Sequence, residues 1–117
     1  MQSNKNIVLI TGGSGFIGKY ITKFFIKRNF FVINYDINPI KNFSSLNYKF
    51  IKGDVTKIKY LKKVFKKKIK YVFHLAAING TKNFYHFPVK VLEASSFGIL
   101  NICKLCEEFK IKKLFIF

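Results

Sequence analysis

The chain has 117 residues, room for one domain built on one core. Half of its residues are hydrophobic and 18% are aromatic, which excludes a disordered tail, and no apolar run approaches the roughly 18 residues of a membrane span. The net charge of +17 is carried by lysines and a single arginine, Arg28, whereas a surface selected to read phosphates and bases would draw more on arginine's bidentate fork.

Isoleucine, asparagine and phenylalanine are also abundant, and alanine occurs only three times. AT-rich codons acting on solvated faces account for such a composition, so no specific nucleic-acid partner is expected. The opening Met1 to Asn6 leads into too short an apolar run for a signal-peptide core. A cytoplasmic chain with no membrane partner is expected.

Asn6 to Thr11 is a short apolar run that stops at glycines, the pattern of a buried parallel strand. After Gly15, the residues Phe16, Ile17, Ile21, Phe24 and Phe25, with a cationic end at Lys27-Arg28, suit a helix that stops at Asn29. Phe31 to Tyr35 reads as a second strand, closed by Asp36 and the turn-prone Asn38-Pro39. Tyr48 to Lys52 reads as a third, ending at Gly53-Asp54.

From Thr56 to about Lys68, Ile58, Leu61, Val64 and Phe65 recur at helical spacing and lysines fill most other positions, as in a helix with one solvated face. Tyr71 to Leu75 is a fourth strand running into Ala76-Ala77. A loop containing Asn79-Gly80 follows and ends near Pro88. Val89 to Phe109 reads as a long helix with Val91, Leu92, Ile99, Ile102, Leu105 and Cys106 among its buried candidates. Cys103 and Cys106 form one C-x-x-C; mid-helix and without a second pair, they read as two small helix residues, not as a redox or zinc site. Lys113 to Phe117 starts a fifth strand.

This alternation implies a doubly wound parallel sheet of the Rossmann type in the order 3-2-1-4-5, truncated within strand five, with helices on both faces. The ligand crevice then lies between strands 1 and 4, where the order reverses.

The informative segment is Thr11-Gly12-Gly13-Ser14-Gly15-Phe16-Ile17-Gly18, which follows a strand and opens a helix. Gly12 permits a tight turn, Gly15 leaves room for a pyrophosphate against the backbone, and Gly18 lets the helix pack close to the sheet. The helix N-terminus, at Phe16 and Ile17, presents free N–H groups and a partial positive charge to phosphates. Asp36 stands 18 residues after Gly18, at the end of strand two. A carboxylate there accepts both ribose hydroxyls of an adenosine and repels a 2′-phosphate, which selects NAD over NADP.

Together with Gly53-Asp54-Val55 and His74-Leu75-Ala76-Ala77, this segment resembles the extended short-chain dehydrogenase/reductases. Within them it is similar to the NAD-dependent epimerase/dehydratase group that acts on nucleotide sugars. The stretch from Asn79 to Tyr85, with Pro88 and Val91-Leu92-Glu93, is less specific. The resemblance covers almost the whole chain but only the front part of a typical member.

It implies NAD as cofactor, and a nucleotide-sugar substrate and a homodimer for the complete enzyme. It also implies that Asp54 bonds the adenine amino group, that Val55 packs beside the ring, and that Leu75, Ala76 and Ala77 line the nicotinamide half. His74 is then a structural strand-end residue. The chain departs from the family at Ser95, where members often carry Asn, and at Gly98-Ile99, where they carry Gly-Thr. That weakens the case for polar contacts from this helix, Asn101 included.

Family chemistry uses a Ser or Thr beyond strand five and a Tyr-x-x-x-Lys on the next helix, whose lysine lowers the tyrosine pKa. The one Tyr-x-x-x-Lys here, Tyr48 to Lys52, falls in expected strand three, where four residues span roughly 13 Å. The two side chains could not share a proton. No catalytic residue and no metal site is therefore assigned. Residues 1–117 are expected to be one NAD-binding domain without the catalytic half or the substrate lobe. The other readings are a non-catalytic NAD(H)-binding or sensor domain, and a polyanion-binding basic protein.

Overall fold

A computed structural model describes residues 5–76 and 85–117. Its strands are β1 (Ile7–Thr11), β2 (Phe31–Asp36), β3 (Tyr48–Lys52), β4 (Ile69–His74) and β5 (Lys113–Ile116). The helices are α1 (Phe16–Lys27), α2 (Ile58–Phe65) and α3 (Pro88–Glu108). All strand pairs are parallel, in the order β3-β2-β1-β4-β5. The expected Rossmann-type topology is thus the observed one.

β1 is buried along its whole length and feeds two cores by alternation. Ile7 and Leu9 join Ile33, Leu61, Val64, Phe65, Val72, Ile102 and Leu105 under α2 and α3. Val8 and Ile10 join Val32, with Ile21, Phe25 and Ile26 of α1 packed over them. A central strand apolar on both sides is what a doubly wound sheet requires.

α1 ends as expected at Asn29, which adopts φ 67° while the Phe30 N–H reaches back to the Phe25 carbonyl (3.0 Å). α3 ends the same way at Lys110 (φ 53°), with the Ile111 N–H on the Cys106 carbonyl (2.9 Å). Lysine carries no stop signal in the sequence, so that end is imposed by the chain turning into β5.

Some expectations are corrected. α2 is shorter than the lysine-rich pattern from Thr56 to Lys68, because Asp54 holds Thr56 in a turn before it and residues 66–68 make the turn into β4 at Ile69. On α3, Ile102, Leu105 and Cys106 are buried, but Leu92 and Ile99 are exposed: the C-terminal half of the helix supplies the core, while the N-terminal half borders the cleft through Lys90, Glu93 and Phe97. On α1 the buried positions are Gly18 and Thr22, while Phe16, Ile17 and Phe24 are exposed. Small residues let this helix approach the strands, Ile21, Phe25 and Ile26 pack against the cluster beneath it, and Phe16, Ile17 and Phe24 are left outside. The lysines of α2 are solvated, and Lys62 pairs with Glu108 at 3.0 Å, a surface contact of small worth. Among the described residues no helix is long and apolar enough to cross a membrane.

Candidate functional site

A cleft of about 920 Å³ opens at the carboxyl ends of β1 to β4, over the point where the strand order reverses. Gly12, Ser14 and Gly15 form one wall. Asp36, Ile37 and Asn38 follow, then Gly53, Asp54, Val55, Thr56 and Lys57. Leu75 and Ala76 lie at the β4 end, and α3 adds Lys90, Glu93 and Phe97.

The turn from β1 into α1 passes through Gly12 at φ 75°, a conformation that favours glycine. A Cβ there would also lie 2.7 Å from the Ala76 nitrogen, so the ends of β1 and β4 touch backbone to backbone. A Cβ on Gly18 would stand 2.4 Å from the Gly12 carbonyl oxygen, which locks the first turn of α1 onto the bend.

Gly15 is different. Its backbone is extended (φ −75°, ψ 178°), and a Cβ would meet only the Gly12 oxygen, at an ordinary 3.5 Å. Among the described residues nothing crowds that position, and it lines the cleft. No side chain caps α1 and no acidic residue stands in its first turn. Among the described residues, then, no side-chain cap covers its leading N–H groups, those of Phe16 and Ile17 included, and such groups can receive an anion. This glycine cradle at a positive helix end fits a diphosphate. The Phe16 and Ile17 side chains are exposed.

Asp36 is drawn into the site by two main-chain donors: the Ser14 N–H reaches Oδ2 (3.0 Å) and the Asn38 N–H reaches Oδ1 (3.1 Å). Each oxygen keeps acceptor capacity for a further hydroxyl. Asp54 turns its own loop, with Oδ1 accepting from the Thr56 N–H (2.9 Å) and hydroxyl (2.7 Å). Val55 is buried behind it. Gly12, Gly15, Asp36, Asp54, Val55, Leu75 and Ala76 therefore meet in one cleft, with Phe16, Ile17 and Gly18 opening the adjoining helix. Ala77 lies outside the described residues, as does the stretch from Asn79 to Phe84.

His74 is buried and pairs through Nδ1 with the Thr11 hydroxyl (2.7 Å). That hydroxyl oxygen already accepts from the Leu75 (3.2 Å) and Ala76 (3.3 Å) N–H groups, so its proton goes to Nδ1 and the ring is neutral. Burial lowers the His74 pKa in the same sense. The pair ties β1 to β4 beneath the cleft, a structural duty.

Asn34 and Ser14 were not singled out by sequence. The fully buried Asn34 amide donates to the Ser14 hydroxyl and to the Tyr48 hydroxyl, each at 2.9 Å, and so props the glycine turn from below. The signal was present: an amide in the middle of an apolar strand must be satisfied. Tyr48 is thus a hydrogen-bond partner on a strand, its pKa raised chiefly by burial. Cys106 packs in the core, and burial, then Cys103, pushes its thiol up to about 11. That is opposite to a reactive thiolate.

Fold and site together define a Rossmann-type chain with a glycine turn at the switch point of its sheet. More particularly, the chain belongs to the NAD dependent epimerase/dehydratase family, which it matches over residues 8–117. It is 36% identical over 118 aligned residues to a dTDP-D-glucose 4,6-dehydratase of Dictyostelium discoideum, covering 91% of this chain and 27% of that protein. An epimerase structure from Methanothermobacter thermautotrophicus superposes with a TM-score of 0.90 at 31% identity, over 96% of this chain and 34% of that one. The UDP-glucose 4-epimerase of Thermus thermophilus, solved in complex with NAD, gives 0.79 at 27% identity, over 92% of this chain and 36% of that one. The chain spans about a third of the length of such relatives.

Proposed function

We propose that this chain is the NAD-binding portion of a nucleotide-sugar epimerase or dehydratase. The observation that carries the reading is Gly15, a glycine of the cleft lining that no described residue crowds, at the N-terminus of α1, which has no side-chain cap among the described residues. In this reading Gly12, Gly15 and Gly18 shape the turn, and the leading N–H groups of α1, including those of Phe16 and Ile17, hold the diphosphate. Asp36 accepts the adenosine ribose hydroxyls, and Asp54 and Val55 receive the adenine. Leu75, Ala76 and Ala77 border the nicotinamide half.

Bound NAD supplies a reversible hydride acceptor; the residues of this chain bind and orient it. Transient oxidation of a sugar hydroxyl, followed by epimerisation or dehydration, is assigned to the complete enzyme, together with its nucleotide-sugar substrate and a homodimeric state. The dTDP-glucose dehydratase and UDP-glucose epimerase relatives support that substrate class.

Calorimetric titration with NAD and NADP tests the reading. NAD is expected to bind more tightly, because Asp36 repels a 2′-phosphate. Asp36→Ala should move the NAD:NADP affinity ratio towards one. An unaltered ratio removes Asp36 from the ribose, and absence of NAD binding by the wild-type chain removes the function. Binding that collapses with salt and is equal for any polyanion would instead favour a basic polyanion binder.

A further inference from the structure

The cleft wall from Gly53 to Lys57 is an irregular turn whose position depends on what lies behind it. At its start the Gly53 N–H ties it to the Asp36 carbonyl at the end of β2 (3.0 Å), and beyond that its own bond is local, from the Lys57 N–H to the Asp54 carbonyl (2.9 Å). From behind, the Asn101 side chain on α3 donates through Nδ2 to the Val55 carbonyl at 2.9 Å, in a buried setting. Asn101 is 8% exposed and Val55 7%. One turn earlier on α3, Gly98 leaves the space that the Val55 side chain fills, since a Cβ there would lie 2.9 Å from Val55 Cγ2. The carbonyl and the side chain of Val55 are thus both gripped by one helix, and Asp54 is the next residue along the chain.

We propose that Asn101 is a positioning residue for adenosine recognition: it fixes the main chain of Val55, and through it the Asp54 carboxylate, in the geometry that meets the adenine. The inference rests on the NAD-binding reading given above. Removing the donor leaves a buried carbonyl without its partner, and the turn then drifts towards water to recover one. The phosphate turn on the opposite wall, held by Gly12, Gly18 and Asn34, is untouched.

The test compares Asn101→Leu with Leu105→Ala, which truncates a buried apolar side chain one turn further along the same helix and removes no hydrogen bond to the turn. Affinities of the whole chain for NAD and AMP are measured well below each melting temperature, and NAD is compared with nicotinamide hypoxanthine dinucleotide, which lacks the adenine amino group. Asn101→Leu is expected to weaken NAD and AMP roughly tenfold and to lower the preference for NAD over its hypoxanthine analogue. Leu105→Ala should lose melting temperature but keep both affinities within about twofold. Equal losses in the two variants would make Asn101 merely structural and overturn the inference.

Should Asn101→Leu fail to fold, Asn101→Ser, shorter but still polar, must show the same selective loss, and unchanged AMP affinity in it overturns the inference too. A wild-type chain that binds no NAD overturns the function itself. Wild-type binding with unselective variants overturns only the role of Asn101.

Discussion

Replacing Gly15 by valine separates ligand from fold more cleanly than any other change in the glycine turn. The backbone at Gly15 is already extended, and the new Cβ would stand 3.5 Å from the Gly12 oxygen, an ordinary contact. Valine is a poorer N-cap than glycine, by up to about 1 kcal/mol, while removing a glycine from the unfolded chain contributes roughly 0.4–1 kcal/mol in the other direction. The two nearly cancel, so the melting temperature without ligand should move by no more than about 3 °C.

Binding behaves otherwise. The valine methyls would occupy the space through which the proposed diphosphate approaches the α1 N–H groups. Hydrogen bonds to a charged group contribute about 1.5–3 kcal/mol each. Losing two costs at least about 3 kcal/mol, or on the order of a hundredfold in Kd. Titration calorimetry with NAD, beside a thermal melt of the free protein, reads both quantities. Unchanged NAD affinity would refute the site, and a collapse of the free protein would show that Gly15 serves the fold after all.

Gly18→Ala should do the reverse and injure the fold first. Its Cβ would lie 2.4 Å from the Gly12 oxygen and 2.6 Å from the Gly13 Cα, backbone atoms that cannot rotate away. The roughly 1 kcal/mol gained in helix propensity is outweighed by overpacking of about 1–3 kcal/mol, so the melt should fall by a few degrees; a rise would contradict this. His74 is held neutral, with its pKa below the ordinary 6.5. Its contribution to stability is complete above about pH 6.5 and is lost as pH falls through the lowered folded value. Melting temperature should therefore drop on acidification below neutrality, and less steeply in His74→Gln; equal slopes would deny that burial holds the His74 ring neutral. Of the two cysteines, exposed Cys103 should react with a thiol reagent at pH 8, and Cys106, pushed up to about 11, should stay protected until unfolding. Equal labelling rates would put Cys106 at the surface.

Strand and helix identity, the parallel order and the cleft were legible in the residues themselves. A short apolar run, a glycine bend and an amphipathic stretch each encode a local preference, and their alternation permits few ways to cover both faces of a sheet. The conjunction of Gly12, Gly15, Gly18 and Asp36 was legible for the same reason, since a tight bend and a strand-end acid follow from local chemistry.

What belongs to tertiary contact was not. Asn101 reaches Val55 across 46 positions of sequence and Asn34 reaches Ser14 across 20, and no periodicity announces a buried amide's partner. Phe16 and Leu92 look like core residues by composition, yet they stand exposed because burial depends on which flank of a helix the sheet happens to meet. Gly15 and Gly18 are alike as letters. Only the folded backbone, which crowds one and leaves the other open, shows that one serves the fold and that the other is free to serve a ligand.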